Sequence, residues 1–134
     1  MNILDQLRGV NAASAYNQSA GFELLSAADG EAELAVDAKP ELLQHAGLLH
    51  AGVLGALIDT ACGFAAASIA GSVLASHYSV RCYRPGKGER FVARARVVKS
   101  GKRQVFATAD VFALEADGEV LIAGGDAVLV PVGR

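Results

Sequence analysis

The residues best placed to do chemistry lie in one stretch, Gln44 to Gly63, and the foremost of them is Asp59. It is the only formally charged side chain between Leu42 and Val80, and its neighbours include Leu54, Ala56, Leu57, Ile58, Ala61, Cys62 and Phe64. A carboxylate in apolar company is costly unless it is hydrogen-bonded or neutralised, so one kept there is a candidate nucleophile or general base. Upstream, His50-Ala51-Gly52 stands where a loop turns into a helix. The first backbone N–H groups of a helix lack internal acceptors and carry the positive end of its dipole. A carbonyl oxygen placed there is polarised, and the developing oxyanion of an acyl transfer is stabilised. Two helical turns, a rise of roughly 11 Å, separate Ala51 from Asp59, too far for one reacting centre within one chain. A site shared by two copies would bring one chain's helix start against the other's Asp59.

Around this pair stand weaker candidates. Gln44, a loop amide, could orient a water or a carboxylate, and His45 and His50 flank the same loop. Leu48, Leu49, Leu54, Phe64 and His77 are the side chains expected to wall a pocket. Arg84 and Lys87 belong to a basic run with Arg81, Arg90, Lys99, Lys102 and Arg103, which is either a solvated rim or a phosphate contact. Cys62 and Cys82 match no metal-ligand spacing, have no evident base beside them, and read as buried free thiols in a reducing cytoplasm. No metal site is expected.

The elements that must position these groups follow from the pattern. A helix begins after His50 and runs toward Ala70, apolar nearly throughout. Before it, Asn2 to Val10 reads as a short amphipathic helix, Asn11 to Gly21 as a connection, and Phe22–Ala27 and Glu31–Val36 as two strands joined at Ala28-Asp29-Gly30. Asp37 to Leu49 is a loop containing Pro40. After Gly71, strands are predicted over Leu74–Tyr83, Arg90–Val98, Gln104–Leu114 and Val120–Val130, forming an antiparallel meander. A helix this apolar cannot be solvated and a meander has one face to bury, so the economical arrangement is a curved sheet wrapped around the helix. The long open edge of such a sheet needs a partner, and a second copy supplies one.

Composition sets the outer bounds. The 134 residues suffice for one domain, and 52% hydrophobic against 19% charged residues is a globular balance. With no Trp and 6% aromatic residues, the core must be built from Ala, Val and Leu. A net charge of −2 gives no argument for nucleic-acid or membrane-surface binding. Ala46 to Ala75 is long and apolar enough to suggest a membrane span, but Asp59 falls mid-span, glycines interrupt it, and no Lys/Arg cluster flanks it closely. The N-terminal residues have neither the basic nor the apolar region of a signal peptide.

The order Gln44, Gly47, His50-Ala51-Gly52, then Asp59 resembles that of hotdog-fold acyl-CoA thioesterases, nearest the phenylacetyl-CoA and 4-hydroxybenzoyl-CoA branch. The run Arg84-Pro85-Gly86-Lys87-Gly88 matches that branch's later Arg-Pro-x-x-Gly. The resemblance spans about residues 20 to 130. It implies an α+β hotdog domain over residues 1–134, in which one long helix is wrapped by a curved antiparallel sheet and residues 1–20 add a helix and connection. It further implies homodimers, often paired into homotetramers, with sites at the interface and no metal or dissociable cofactor. Carried over by position, Asp59 is the catalytic carboxylate, the Ala51 N–H polarises the thioester carbonyl beside Gly52 and His50, and Gln44 orients water or the partner's carboxylate. Ala51 departs from the usual Gly, which would strain the site if a glycine-only backbone angle were needed. His77 falls where relatives often carry a small hydroxyl residue.

The expected function is hydrolysis of an acyl-CoA thioester to a carboxylic acid and free coenzyme A in the cytoplasm, with His45, Leu49, Leu54, His77, Arg84 and Lys87 contacting substrate. Two alternatives stay open: a non-catalytic acyl-CoA or ligand-binding module on the same scaffold, and an acyl-thioester dehydratase or hydratase. The latter usually pairs Asp with a His a few residues on in the helix, and none follows Asp59 before His77.

Overall fold

A computed structural model describes residues 1–133. In chain order it contains α1 (Ile3–Ala13), α2 (Ala15–Ala20), β1 (Glu23–Ala28), β2 (Glu31–Asp37), a 3-10 turn at Pro40–Leu42, α3 (Ala51–Ala70), β3 (Val73–Tyr78), β4 (Arg81–Cys82), β5 (Arg90–Ser100), β6 (Val105–Glu115) and β7 (Gly118–Pro131). All strands pair antiparallel in one sheet of order β1-β2-β5-β6-β7-β3, with β4 also on β7. The sheet curls around α3, and the fold is the hotdog arrangement of a wrapped central helix.

The inward face of the sheet is made of small side chains. On β6 alone, Val105, Ala107, Ala109, Val111 and Ala113 are all buried, alternating with outward Phe106, Thr108, Asp110 and Phe112. Alanines at these positions let the helix lie close, and Leu57, Ile58, Ala61, Cys62 and Ala65 of α3 fill the space between. The sheet does not enclose α3 completely. Ala56, Asp59, Thr60, Gly63 and Ala67 remain only half-buried on one side. This helix is long and apolar enough to cross a membrane, but here it is the core helix.

Three sequence expectations need correction. The predicted connection 11–21 is mostly helical: α1 continues to Ala13, and Ser14 both ends it and caps α2 by accepting from the Asn17 N–H (3.2 Å). The predicted strand 74–83 is interrupted, and the meander holds only for β5-β6-β7, because β3 crosses to the far edge beside β7 while β5 pairs β2. Placing α3 between β2 and β3 forces this, since the helix must cross the concave face before the chain can return to the sheet. Cys82 is exposed, on a two-residue strand at the sheet edge, whereas Cys62 is buried as expected.

α1 is fastened rather than loose. The Arg8 guanidinium donates to the carbonyls of Leu24 (3.1 Å) and Leu25 (3.3 Å), where a bulge interrupts the β1–β2 ladder. The buried Asn11 amide donates to the Phe22 carbonyl (2.9 Å) and accepts from Asn17 (3.0 Å). Leu7 is buried against the core.

Candidate active site

The start of α3 is built by the loop before it. His50 has extended backbone angles (φ −62°, ψ 137°), and its Nδ1 accepts the Gly52 N–H at 2.8 Å. Its carbonyl accepts from Val53 (2.9 Å) and Leu54 (3.2 Å). Of the first four amides of the helix, three are thus engaged by His50, and the N–H of exposed Ala51 is the one with no acceptor among the described residues. Gly52 is needed because a Cβ there would lie 2.9 Å from His50 Nδ1. Ala51 needs no glycine angle: Asp29 is the only non-glycine residue with positive φ among those described. The departure from the usual Gly therefore leaves the backbone unstrained, and the N–H is retained.

Gln44 organises the preceding loop. Its side-chain Oε1 accepts from the N–H groups of Ala46 and Leu48 (3.3 Å), its carbonyl accepts from Gly47 (3.0 Å), and its own N–H donates to Leu48 (2.8 Å). With Oε1 engaged, the amide NH2 is the end left to meet a ligand. His45 is exposed at the tip of this loop. The turn at Arg84–Gly88 braces the same loop: the Leu49 N–H donates to the Gly86 carbonyl (2.9 Å), and Gly86 is buried where a Cβ would meet the Leu49 Cβ at 2.9 Å. Arg84 and Lys87 are exposed beside the helix entrance and make no ion pair among the described residues. Arg81 and Arg90 of the same basic run are paired, to Asp126 and to Glu23 and Asp37.

Asp59 lies two turns along, on the side of α3 that the sheet leaves open. Its carboxyl is half-buried, and burial, with no compensating hydrogen bond or cation, holds its pKa above the usual value of 3.8. A raised pKa makes a carboxylate a better base. The neighbouring Cys62 thiol is pushed up to about 12, first by burial and then by the charges of Asp59 and Asp126. It is protonated at neutral pH and is not a nucleophile. No group of three metal-ligating side chains occurs among the described residues.

Asp59 opens onto a cavity of about 430 Å³ between α3, α1 and the first residues of β3. Of the residues expected to wall a pocket, only Phe64 does so. Leu49 and Leu54 are core residues, 3% and 2% exposed, and His77 points out from the edge strand β3. The walls that the sequence reading missed are Gln6, Leu7 and Val10 of α1 and Gly63 and Ala67 of α3. The spacing of Gly63 and Ala67, four and eight residues beyond Asp59, is the signal that places them on its face of the helix. Nothing in the sequence ties α1 to that face.

Strand β3 pairs on one side only, and its other edge is bare, with Leu74 65% and Tyr78 46% exposed. The cavity reaches Leu74 and Ala75, so this edge borders it.

Comparison with known proteins agrees with this architecture. A sequence profile of the Thioesterase superfamily matches residues 46–119, from the helix-entrance loop through the start of β7. A thioesterase family protein from Silicibacter pomeroyi is 32% identical over 96% of this chain and 97% of its own, with a TM-score of 0.91. A mutant of the phenylacetic acid degradation protein PaaI from Thermus thermophilus is 28% identical over 89% of this chain and 100% of its own, with a TM-score of 0.78. The PaaI protein of the E. coli phenylacetic acid degradation operon shares the fold at 20% identity, covering 98% of this chain and 94% of its own, with a TM-score of 0.87. No curated protein matches the chain. The wrapped helix, a profile match over more than half of the chain that takes in that whole helix, and these structural likenesses mean that this chain belongs to the thioesterase superfamily, in its PaaI-like hotdog branch.

Proposed function

We propose that the chain hydrolyses acyl-CoA thioesters in sites shared between two subunits. The observation that carries this reading is the division of labour along α3. The one free amide of the first turn, Ala51 N–H, and the helix's one carboxylate, Asp59, are more than two turns apart on α3. They meet at one thioester only if a second copy approaches along the bare edge of β3. In that arrangement the thioester carbonyl of substrate lies on Ala51 N–H of one chain. Asp59 of the other chain attacks the carbonyl carbon or removes a proton from the attacking water. Negative charge gathers on the carbonyl oxygen, the amide and helix dipole stabilise it, and collapse expels the coenzyme A thiolate; where Asp59 itself attacks, water then hydrolyses the acyl–aspartyl anhydride to release the acid and restore the carboxylate. The Gln44 amide NH2 positions water or the partner's carboxylate. Arg84 and Lys87, free of internal ion pairs at the helix entrance, meet the coenzyme phosphates.

Release of free thiol from a panel of acyl-CoAs, followed with a thiol reagent, tests the activity; affinity without turnover would make the protein a binding module. Complementation tests the sharing. Ala51→Pro removes the one N–H, at a helix position where proline is tolerated and after a residue already extended as proline requires. Ala51→Pro and Asp59→Asn homo-oligomers should each be nearly inactive. Co-refolded, they should recover about a quarter of wild-type activity, because half the dimers are mixed and each mixed dimer has one intact site. A mixture as inactive as its components would place both residues in one chain's site.

A further inference from the structure

Resting on the reading above, we propose that Tyr78 is a further positioning residue of the shared site. Its hydroxyl, on the chain that offers the Ala51 N–H, donates a hydrogen bond to the Asp59 carboxylate of the other chain. Tyr78 stands opposite Ala127 in the β3–β7 ladder, and Ala127 is buried on the inward face of the sheet, so the phenol is turned toward α3. It rests on Gly55. A Cβ built there would lie 3.2 Å from Tyr78 Cε1 and 3.4 Å from its Oη, so glycine is what admits the ring against the helix. Gly55 comes four residues after Ala51 and four before Asp59, on the same face of α3. The hydroxyl is therefore level with the middle of the interval between amide and carboxylate, a rise of roughly 6 Å from each.

Two unmet polar groups and the symmetry of a dimer carry the assignment. Among the described residues neither the Asp59 carboxyl nor the Tyr78 hydroxyl forms a hydrogen bond, although one is half-buried and the other is packed on the helix. A two-fold axis that sets Ala51 of each chain against Asp59 of the other must pass level with the residue midway between them, which is Gly55. It passes level with Tyr78 for the same reason, and along the helix each hydroxyl is as near to the other chain's Asp59 as to its own. No hydrogen bond joins Tyr78 to its own Asp59, whereas the other chain's Asp59 arrives from the open side, along the bare edge of β3. A neutral donor fixes the direction of a carboxylate and offsets part of its desolvation while leaving it charged, and a base or nucleophile needs that charge. The phenol keeps its proton throughout.

Tyr78→Phe keeps the ring on Gly55 and removes only the hydroxyl. It should lower kcat about tenfold or more, the worth of a hydrogen bond to a charged group, with KM within about twofold of wild type and the oligomeric state unchanged. The acid limb of kcat/KM should move to higher pH, because ionised Asp59 has lost a donor. Built into the complementation pair above, the substitution should lower the recovered activity when it sits on the Asp59→Asn chain, which supplies Ala51. The loss should not follow the Ala51→Pro chain, which supplies Asp59. A folded Tyr78→Phe oligomer with wild-type kcat and an unmoved acid limb would overturn the assignment. So would a loss that follows the Asp59-supplying chain, or one that tracks dissociation into monomers. In each of these cases hydrolysis by the wild type stands. A wild type that releases no thiol from any acyl-CoA fails the underlying reading itself, and the role of Tyr78 with it.

Discussion

Asp59 stands on the open side of an otherwise packed helix, with nothing to offset the desolvation of its charge. Its pKa in the folded chain is higher than in the unfolded one. Between those two values the native chain holds a proton that the unfolded chain has lost, so stability falls as the pH rises through the window. Asp59→Asn should therefore melt above wild type at neutral pH. The gap should close as the pH drops below the unfolded value near 3.8. The same substitution should lower kcat by roughly 10²–10⁴ with little change in KM, the range expected for loss of general acid–base assistance. For the wild type, kcat/KM should decline in acid with an apparent pKa above the usual carboxylate value, since only the ionised form acts. Thermal melts and pH–rate profiles on the same preparations check both. A variant that melts lower and keeps its turnover would make Asp59 structural.

At the scale of elements, the helix entrance is held by two loops locked together. The Gln44 loop is closed by its own amide, and the Arg84–Gly88 turn is seated on it through Gly86. The seat has no room for a methyl group, because the contact is with the Cβ and backbone of Leu49 rather than a flexible side-chain end. Gly86→Ala should cost about 1–3 kcal/mol, the usual penalty for overpacking. Lys87→Ala, one residue on and exposed, should change stability by less than about 0.5 kcal/mol. It should instead raise KM for acyl-CoA, an effect that fades at high salt if Lys87 meets phosphate. Denaturant titration and steady-state kinetics on the pair separate the two roles. Equal KM for Lys87→Ala and wild type at low salt would leave Lys87 as a solvated charge.

For the whole molecule, the bare edge of β3 is the main unsatisfied feature. Leu74 and Tyr78 are exposed along it and the strand has no charged residue to guard it. The opposite edge differs, for β1 carries Glu23, which is engaged by Arg90, and is partly covered by α1. Edge pairing through β3 would place the two α3 helices side by side, with each Asp59 toward the other chain's helix start. Light scattering should give a dimer or a tetramer, and specific activity should drop on dilution through the dissociation range. Full activity per chain from a monomer would rule out the shared site.

The wrapped helix was legible in the residues themselves. An apolar run from Val53 to Ala66 with turn residues on either side must be buried by something, and alternating strands follow it. Its start at Ala51 was legible too, because a helix boundary is written in local backbone chemistry. The lone charge singles out Asp59 for the same local reason. What lay beyond local pattern was every relation between distant segments. The order of strands, with β3 carried to the edge beside β7, follows from the helix crossing the concave face. The Ala51 N–H was singled out by the resemblance, but that the Gly52 N–H beside it is taken up, leaving Ala51 the one free amide, depends on which way the His50 ring turns. The cavity wall from Gln6, Leu7 and Val10 depends on Arg8 reaching a β1 bulge, which no spacing in the chain announces. Local segments encode their own periodicity and caps. Which faces meet is decided only by the packing of the whole chain, where burial and hydrogen bonding between remote residues are settled together.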